Sequence, residues 1–138
     1  MAYKTKYIPQ NPEKYIGDVS NIVCRSLWER NICKFCDINE SIIKWSSEEI
    51  VIPYLSPIDK KQHNYYPDFL IQFKNQEGLK TWMVEVKPKK QTILKENASK
   101  QEKMIWIINN AKWEAAKRFC DKNKMEFKVI TEKEIFAS

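Results

Sequence analysis

The sequence predicts a mixed α/β domain in which helices flank a central sheet, and three observations carry that prediction. A helix-period apolar pattern occupies residues 18–37, and strand-like runs joined by a turn fill the middle of the chain. A second helix-period pattern over 100–122 then leads into a last strand-like run. With 138 residues and 43% hydrophobic content, the chain is large enough to build one real core.

Taken in order, residues 1–17 contain Pro9 and Pro12 and read as an N-terminal extended arm, leaving 18–138 as a single domain. Asp18 or Ser20 is placed to cap a helix that runs to about Asp37. Residues 48–55, with Ile50-Val51-Ile52, suggest a strand, and 56–64 a proline-containing loop that includes His63. Residues 65–73 and 81–87 read as two more strands. Between them Asn75-Gln76-Glu77-Gly78 has turn chemistry, so the pair forms a hairpin. Over 100–122 a buried stripe is expected from Ile105, Ile108, Ala111, Ala115, Ala116 and Phe119. Residues 126–131 complete the sheet. The second helix then serves as a crossover, so strand 126–131 runs parallel to strand 81–87.

Composition excludes several classes. No stretch approaches the ~20 apolar residues of a membrane span, and Met1-Ala2-Tyr3-Lys4-Thr5-Lys6 lacks the apolar region of a signal peptide. A soluble intracellular protein with no membrane partner is the expectation. Two glycines, Gly17 and Gly78, cannot make a Gly-rich phosphate loop. Cys33 and Cys36 form one C-x-x-C, but no second pair follows at zinc-finger spacing, and Cys24 and Cys120 stand apart. Both helix cysteines are expected to face inward as small hydrophobes. His63 is the only histidine, which removes mechanisms that need several.

A net charge of +6 favours a polyanionic partner. The excess is local: between Glu85 and Lys103 lie six lysines (87, 89, 90, 95, 100, 103) against three glutamates. Alone, such a run reads as a solvated surface. Its position directly after an unusual acidic strand gives it another reading.

In Val84-Glu85-Val86-Lys87 the alternation of a strand puts Glu85 and Lys87 on one face, with Trp82, Val84 and Val86 on the other. A turn centred between Gln76 and Glu77 places Asp68 opposite Glu85. Like charges directly opposite repel, and a hard divalent cation would remove the penalty, because Mg²⁺ takes one or two carboxylates plus waters and phosphate oxygens. The first helix offers a further acid. One arc of it holds Ile22, Arg25, Trp28, Glu29, Ile32, Cys33, Phe35 and Cys36, so Arg25 and Glu29 interrupt an apolar face. They read either as an i,i+4 ion pair at the core margin, or as Glu29 reaching the acidic site while Arg25 touches phosphate or braces it. Metal-held carboxylates, a polarised water and a lysine are sufficient for phosphodiester hydrolysis. The lysines that follow would grip the backbone of DNA. Trp45, Tyr65, Tyr66 and Trp113 are either core or stacking residues.

Pro67-Asp68 followed by Glu85-Val86-Lys87, with a spacing of 17 residues from Asp68 to Glu85, resembles the PD-(D/E)xK nuclease superfamily. The order helix, three strands, helix, strand is similar to its restriction-endonuclease-like αβββαβ core. Longer strings extend the likeness: residues 7–15, Arg25-Ser26-x-Trp28-Glu29, Trp45-Ser46-Ser47-Glu48-Glu49, Tyr66-Pro67-Asp68-Phe69, the run from Val84 to Lys90, and Ala111-Lys112-Trp113-Glu114-Ala115-Ala116. These look like the head-completion nucleases of tailed bacteriophages, and also like the N-terminal nuclease domain of heteromeric-transposase endonuclease subunits.

The resemblance implies Mg²⁺-dependent DNA cleavage, with Mn²⁺ expected to substitute. It makes Asp68 and Glu85 metal ligands at a metal site that includes Val86. Lys87 becomes the catalytic lysine and Glu29 an accessory acid. Arg25, Lys89, Lys90, Lys95 and Lys112 are the expected DNA contacts. Partners would be DNA, phage head or neck proteins and, to cut both strands, a second copy of the chain. The place of action would be the host cytoplasm or the virion. Two other readings stand beside this one: a non-catalytic DNA-binding head protein, and a nuclease subunit active only within a larger complex.

Overall fold

The computed structural model describes residues 4–131 and Lys133. Its elements in chain order are β1 (Thr5–Lys6), β2 (Val23–Cys24), α1 (Leu27–Ile38), β3 (Ile42–Ser47), β4 (Ile52–Leu55), β5 (Gln62–Tyr65), β6 (Phe69–Asn75), β7 (Gly78–Val86), α2 (Lys100–Lys122) and β8 (Glu126–Ile130). The central sheet has the order β3-β6-β7-β8. β3 and β7 run antiparallel to β6, while β8 runs parallel to β7 after the α2 crossover. The α1, β3, β6, β7, α2, β8 succession is the αβββαβ order expected of a restriction-endonuclease-like fold. The β4–β5 hairpin is inserted into it and β1–β2 form a separate small ladder.

The hairpin β6–β7 has the expected register. Phe69 pairs with Val84 and Asn75 with Gly78, leaving Gln76 and Glu77 as the two turn residues. Gly78 takes φ +114, a backbone angle that side chains disfavour. Phe69, Ile71 and Val84 pack on one face of the sheet with Cys33 and Cys36 of α1, joined by Trp82 and Val86. Met83 lies on the other face with Ala115, Ala116 and Cys120 of α2 and with Ile52, Tyr54 and Tyr65 of the inserted hairpin.

Five expectations change. The first helix starts at Leu27, not near residue 18: Ser26 is its N-cap, accepting the Glu29 N–H, while 19–21 form only a short 3₁₀ turn capped by Asp18. Val23 and Cys24 are drawn into pairing with β1 instead. The first strand of the sheet is Ile42–Ser47, not 48–55. Glu48 breaks the strand with φ +55, and Ile52–Leu55 pairs with Gln62–Tyr65, so His63 lies in a strand, its ring nitrogen 2.7 Å from Asp59. Asp68 sits in the short link between β5 and β6, not within one strand 65–73. Finally Ile105 is 51% exposed, whereas Ile108, Ala111, Ala115, Ala116 and Phe119 pack as expected. The opening turns of α2, residues 100–105, are exposed.

Residues 4–17 lie against the core. Tyr7 and Tyr15 are buried, and their rings meet that of the fully buried Trp45 edge-on at 6.2 and 4.8 Å. Such pairs add about 0.5–1.5 kcal/mol each beyond their area. Asp37, near the end of α1, ties this segment down. Its carboxylate accepts the Tyr7 O–H at 2.7 Å and the backbone N–H groups of Gln10 and Asn11 at 2.7 and 2.9 Å. All four cysteines are buried and unbridged, with the Cys24 and Cys33 sulfurs 3.5 Å apart.

Candidate active site

The β6–β7 ladder ends with Phe69 opposite Val84, so one residue further along Asp68 and Glu85 face each other. Asp68 is locked there, because its Oδ2 accepts the Val86 N–H at 2.7 Å. Glu85 is buried at 7% exposure. Its Oε1 accepts the Tyr65 O–H at 2.7 Å, and its Oε2 lies 3.6 Å from the Lys87 ammonium. Alternation along β7 puts Lys87 on the Glu85 side, while Val84 and Trp82 join the α1-side core.

Two facing carboxylates at the core edge should resist losing both protons. The Asp68 carboxyl is pushed up to about 8, first by burial and next by the Glu85 charge, and the Val86 N–H and Lys87 only partly offset this. Glu29 is raised too, chiefly by burial, with Glu48 and Glu85 adding to the effect against the Arg25 N–H and side chain. Its charge also reaches Asp68. The first turn of α1 therefore brings Glu29 within electrostatic reach of Asp68 and Glu85.

Arg25 and Glu29 do not form the i,i+4 ion pair. Arg25 precedes the helix; its backbone N–H donates to Glu29 Oε1 at 3.2 Å, and its Nε donates to Glu48 Oε1 at 3.0 Å. The guanidinium braces Glu48, not Glu29. Sequence reasoning gave Glu48 no role, yet it borders the site. Its N–H donates to the Asp68 carbonyl at 3.1 Å, and its left-handed backbone costs a non-glycine residue on the order of 1 kcal/mol. Tyr65 was expected as core or a stacking surface; it is a buried hydrogen-bond donor to Glu85. No local signal could have found either role, because both depend on contacts across the fold.

Of the lysines, Lys112 is tied to the site: its ammonium lies over the Tyr65 ring, 5.8 Å from the centroid. Lys89 and Lys90 occupy a 3₁₀ turn just after β7. Lys90 and Lys95 line a cleft with Glu102, Ile105 and Trp106 of α2, and Glu29, Glu48, Asp68 and Glu85 are not part of its lining. Among the aromatics, Trp45 is core, Trp113 is half-buried beside the α2 cluster, and Tyr66 is exposed.

Among the described residues, no three His, Cys, Asp or Glu side chains gather closely enough to hold a metal ion between them, zinc at Cys33 and Cys36 included. An all-protein cage is therefore absent there. Mg²⁺ does not need one, since it binds one or two carboxylates and completes its shell with water and phosphate oxygens. Asp68 and Glu85 fit that demand, and their mutual repulsion is what a divalent cation would relieve. Val86 holds Asp68 in place through its N–H. Among the described residues no helix is long and apolar enough to cross a membrane.

Comparisons with known proteins give the family of the chain. The family model "TnsA-like endonuclease N terminal" matches residues 39–132, which include Asp68, Glu85 and Lys87 but not Arg25 or Glu29. The chain is also 37% identical over 142 aligned residues to the head completion nuclease of Enterobacteria phage T4, covering 96% of this chain and 93% of that protein. The chain thus belongs to the TnsA-like N-terminal endonuclease family, and by that membership it is a nuclease.

Proposed function

We propose that this chain is a Mg²⁺-dependent DNA endonuclease that acts in phage head completion, with Asp68 and Glu85 as metal ligands. The observation that carries the reading is the facing pair of carboxylates, whose repulsion the neighbouring Lys87 only partly offsets. Likeness to the T4 protein across nearly the whole chain supports the biological setting. It supports action in the host cytoplasm or the virion, with head or neck proteins as partners.

A bound Mg²⁺ supplies Lewis acidity at the phosphate and lowers the pKa of a water. The chain does the rest. Asp68 is fixed by Val86, and Glu85 by Tyr65, so neither carboxylate has to be ordered when substrate arrives. The Lys87 ammonium, partly exposed beside Glu85, is positioned to orient the attacking water or to hold charge on the phosphate. Glu29, whose carboxyl retains a proton more readily than an exposed glutamate, serves as the accessory acid. Arg25, Lys89, Lys90, Lys95 and Lys112 hold the DNA backbone. A chain with one such centre cuts one strand at a time, so two copies together would cut both.

The test is cleavage of supercoiled and linear DNA with Mg²⁺ or Mn²⁺ against EDTA, comparing wild type with Asp68→Ala. Metal-dependent nicking that the variant lacks is the expected result. Cutting that survives EDTA or the substitution would refute the assigned centre. Silence from wild type, with DNA binding intact, would favour a head protein without catalysis or a subunit that needs its partners.

A further inference from the structure

We propose that Tyr65 is a positioning residue that holds Glu85 in its metal-binding orientation, and that the β4–β5 hairpin is what delivers it. The proposal rests on the reading of Glu85 as a metal ligand. The hairpin is an insertion between β3 and β6 of the central sheet, and Tyr65 is its last residue. Its hydroxyl donates to Glu85 Oε1 at 2.7 Å, with the tyrosine 4% and the glutamate 7% exposed. A hydrogen bond onto a charged oxygen in so dry a place is among the stronger ones a protein makes. A phenol carries its proton at neutral pH, and a carboxylate oxygen can only accept, so the group is the donor of this bond.

The donor is itself held. Tyr65 pairs with Ile52 across the β4–β5 ladder and packs in the cluster that contains Met83, Ala116 and Cys120. The Lys112 ammonium caps its ring at 5.8 Å. Three residues further on, the same segment presents Asp68 to the Val86 N–H. One short stretch of chain thus grips neighbouring residues of β7 twice, once through Tyr65 and once through Asp68. With Oε1 accepting from the phenol, rotation of the carboxylate is suppressed, and Oε2, which faces the Lys87 ammonium at 3.6 Å, keeps lone pairs for a cation. Groups that orient a metal ligand in this way are typically worth about 10–100-fold in metal affinity or activity.

Tyr65→Phe removes the hydroxyl and keeps the ring, its packing and the Lys112 contact. Binding of Mn²⁺ should be measured directly on wild type, Tyr65→Phe and Glu85→Ala, from the loss of the free-ion paramagnetic resonance signal. Thermal midpoints and DNA affinity are recorded on the same samples. Tyr65→Phe should bind Mn²⁺ about 10–100-fold more weakly, with its DNA affinity unchanged and its fold intact. A loss smaller than about threefold in Tyr65→Phe, while Glu85→Ala loses Mn²⁺, overturns the role of Tyr65 alone. Wild-type Mn²⁺ binding by Glu85→Ala overturns the Glu85 reading and the proposal with it. Loss of the folding transition in Tyr65→Phe also overturns the proposal, because the hydroxyl would then serve the fold and not the orientation of Glu85.

Discussion

Asp68→Asn should make the metal-free protein more stable while destroying its activity. The Asp68 carboxyl rises from 3.8 to about 8 on folding, through burial and the facing Glu85. The folded state therefore binds more protons than the unfolded state between about pH 4 and pH 8. Stability from this residue must fall as pH rises through that window and level off above it. Each unit corresponds to about 1.36 kcal/mol, so roughly three units at pH 7 set an upper bound of about 4 kcal/mol. Relaxation and water penetration around a buried charge lower such penalties, so the expected gain is about 2–4 kcal/mol. An asparagine keeps the shape and an oxygen for the Val86 N–H, and its amide can donate toward Glu85. Urea unfolding in EDTA from pH 5 to pH 8 measures the effect. Wild type should lose stability across the range, and the variant should lose less, keeping the share that comes from the raised Glu29 carboxyl. Mg²⁺ should then narrow the gap by binding folded wild type alone. A variant less stable than wild type at pH 7, or one with the same pH slope, would refute the reasoning.

Three further outcomes follow from the packing. Asp37→Ala strips three hydrogen-bond donors of their acceptor, two of them backbone N–H groups. It should cost about 3–5 kcal/mol in urea unfolding, with faster proteolysis within residues 7–14. Burial works against the Asp37 charge, but those hydrogen bonds hold its carboxyl below the usual range. Its contribution is therefore complete above about pH 4 and disappears as pH falls through its folded value. Arg25→Ala breaks only an exposed pair and should change stability by less than about 1 kcal/mol. It should weaken DNA binding at low salt and reduce the slope of log affinity against log salt by about one; an unchanged slope would remove Arg25 from the DNA contacts. Ile105→Lys should be neutral within about 0.5 kcal/mol. Ala116→Leu, at a fully buried contact with the sheet, should cost about 1–3 kcal/mol by overpacking, both values being read from denaturant midpoints.

The parts of this molecule that were legible in its sequence are those fixed by local rules. A two-residue turn and strict alternation set the β6–β7 register, and with it the meeting of Asp68 and Glu85. Ile42–Ser47 escaped notice because Trp45, Ser46 and Ser47 are buried in succession, which erases the period-two pattern that marks a half-buried strand. The apolar Ile50-Val51-Ile52 drew attention to the wrong side of Glu48, whose left-handed backbone ends the strand. A helix beginning near residue 18 overlooked Ser26 followed by Glu29 three residues later, a stronger start signal than Asp18. Ile105 continues the apolar period of α2 beyond the point where the sheet lies beneath it. At the candidate site, residue types and spacing drew attention to Asp68, Glu85 and Lys87, and the fold brings these three side by side. Tyr65 and Glu48 were hidden, since a phenol 20 residues from its acceptor and an arginine 23 residues from its carboxylate meet only once the chain has folded.

The most direct test of the central claim compares wild type and Glu85→Ala, purified identically, for DNA cleavage and DNA binding on the same samples in Mg²⁺. The account predicts that the variant binds DNA within about threefold of wild type and does not cut it. Cleavage by Glu85→Ala at the wild-type rate would contradict the account, and the metal centre would have to be sought elsewhere in the fold.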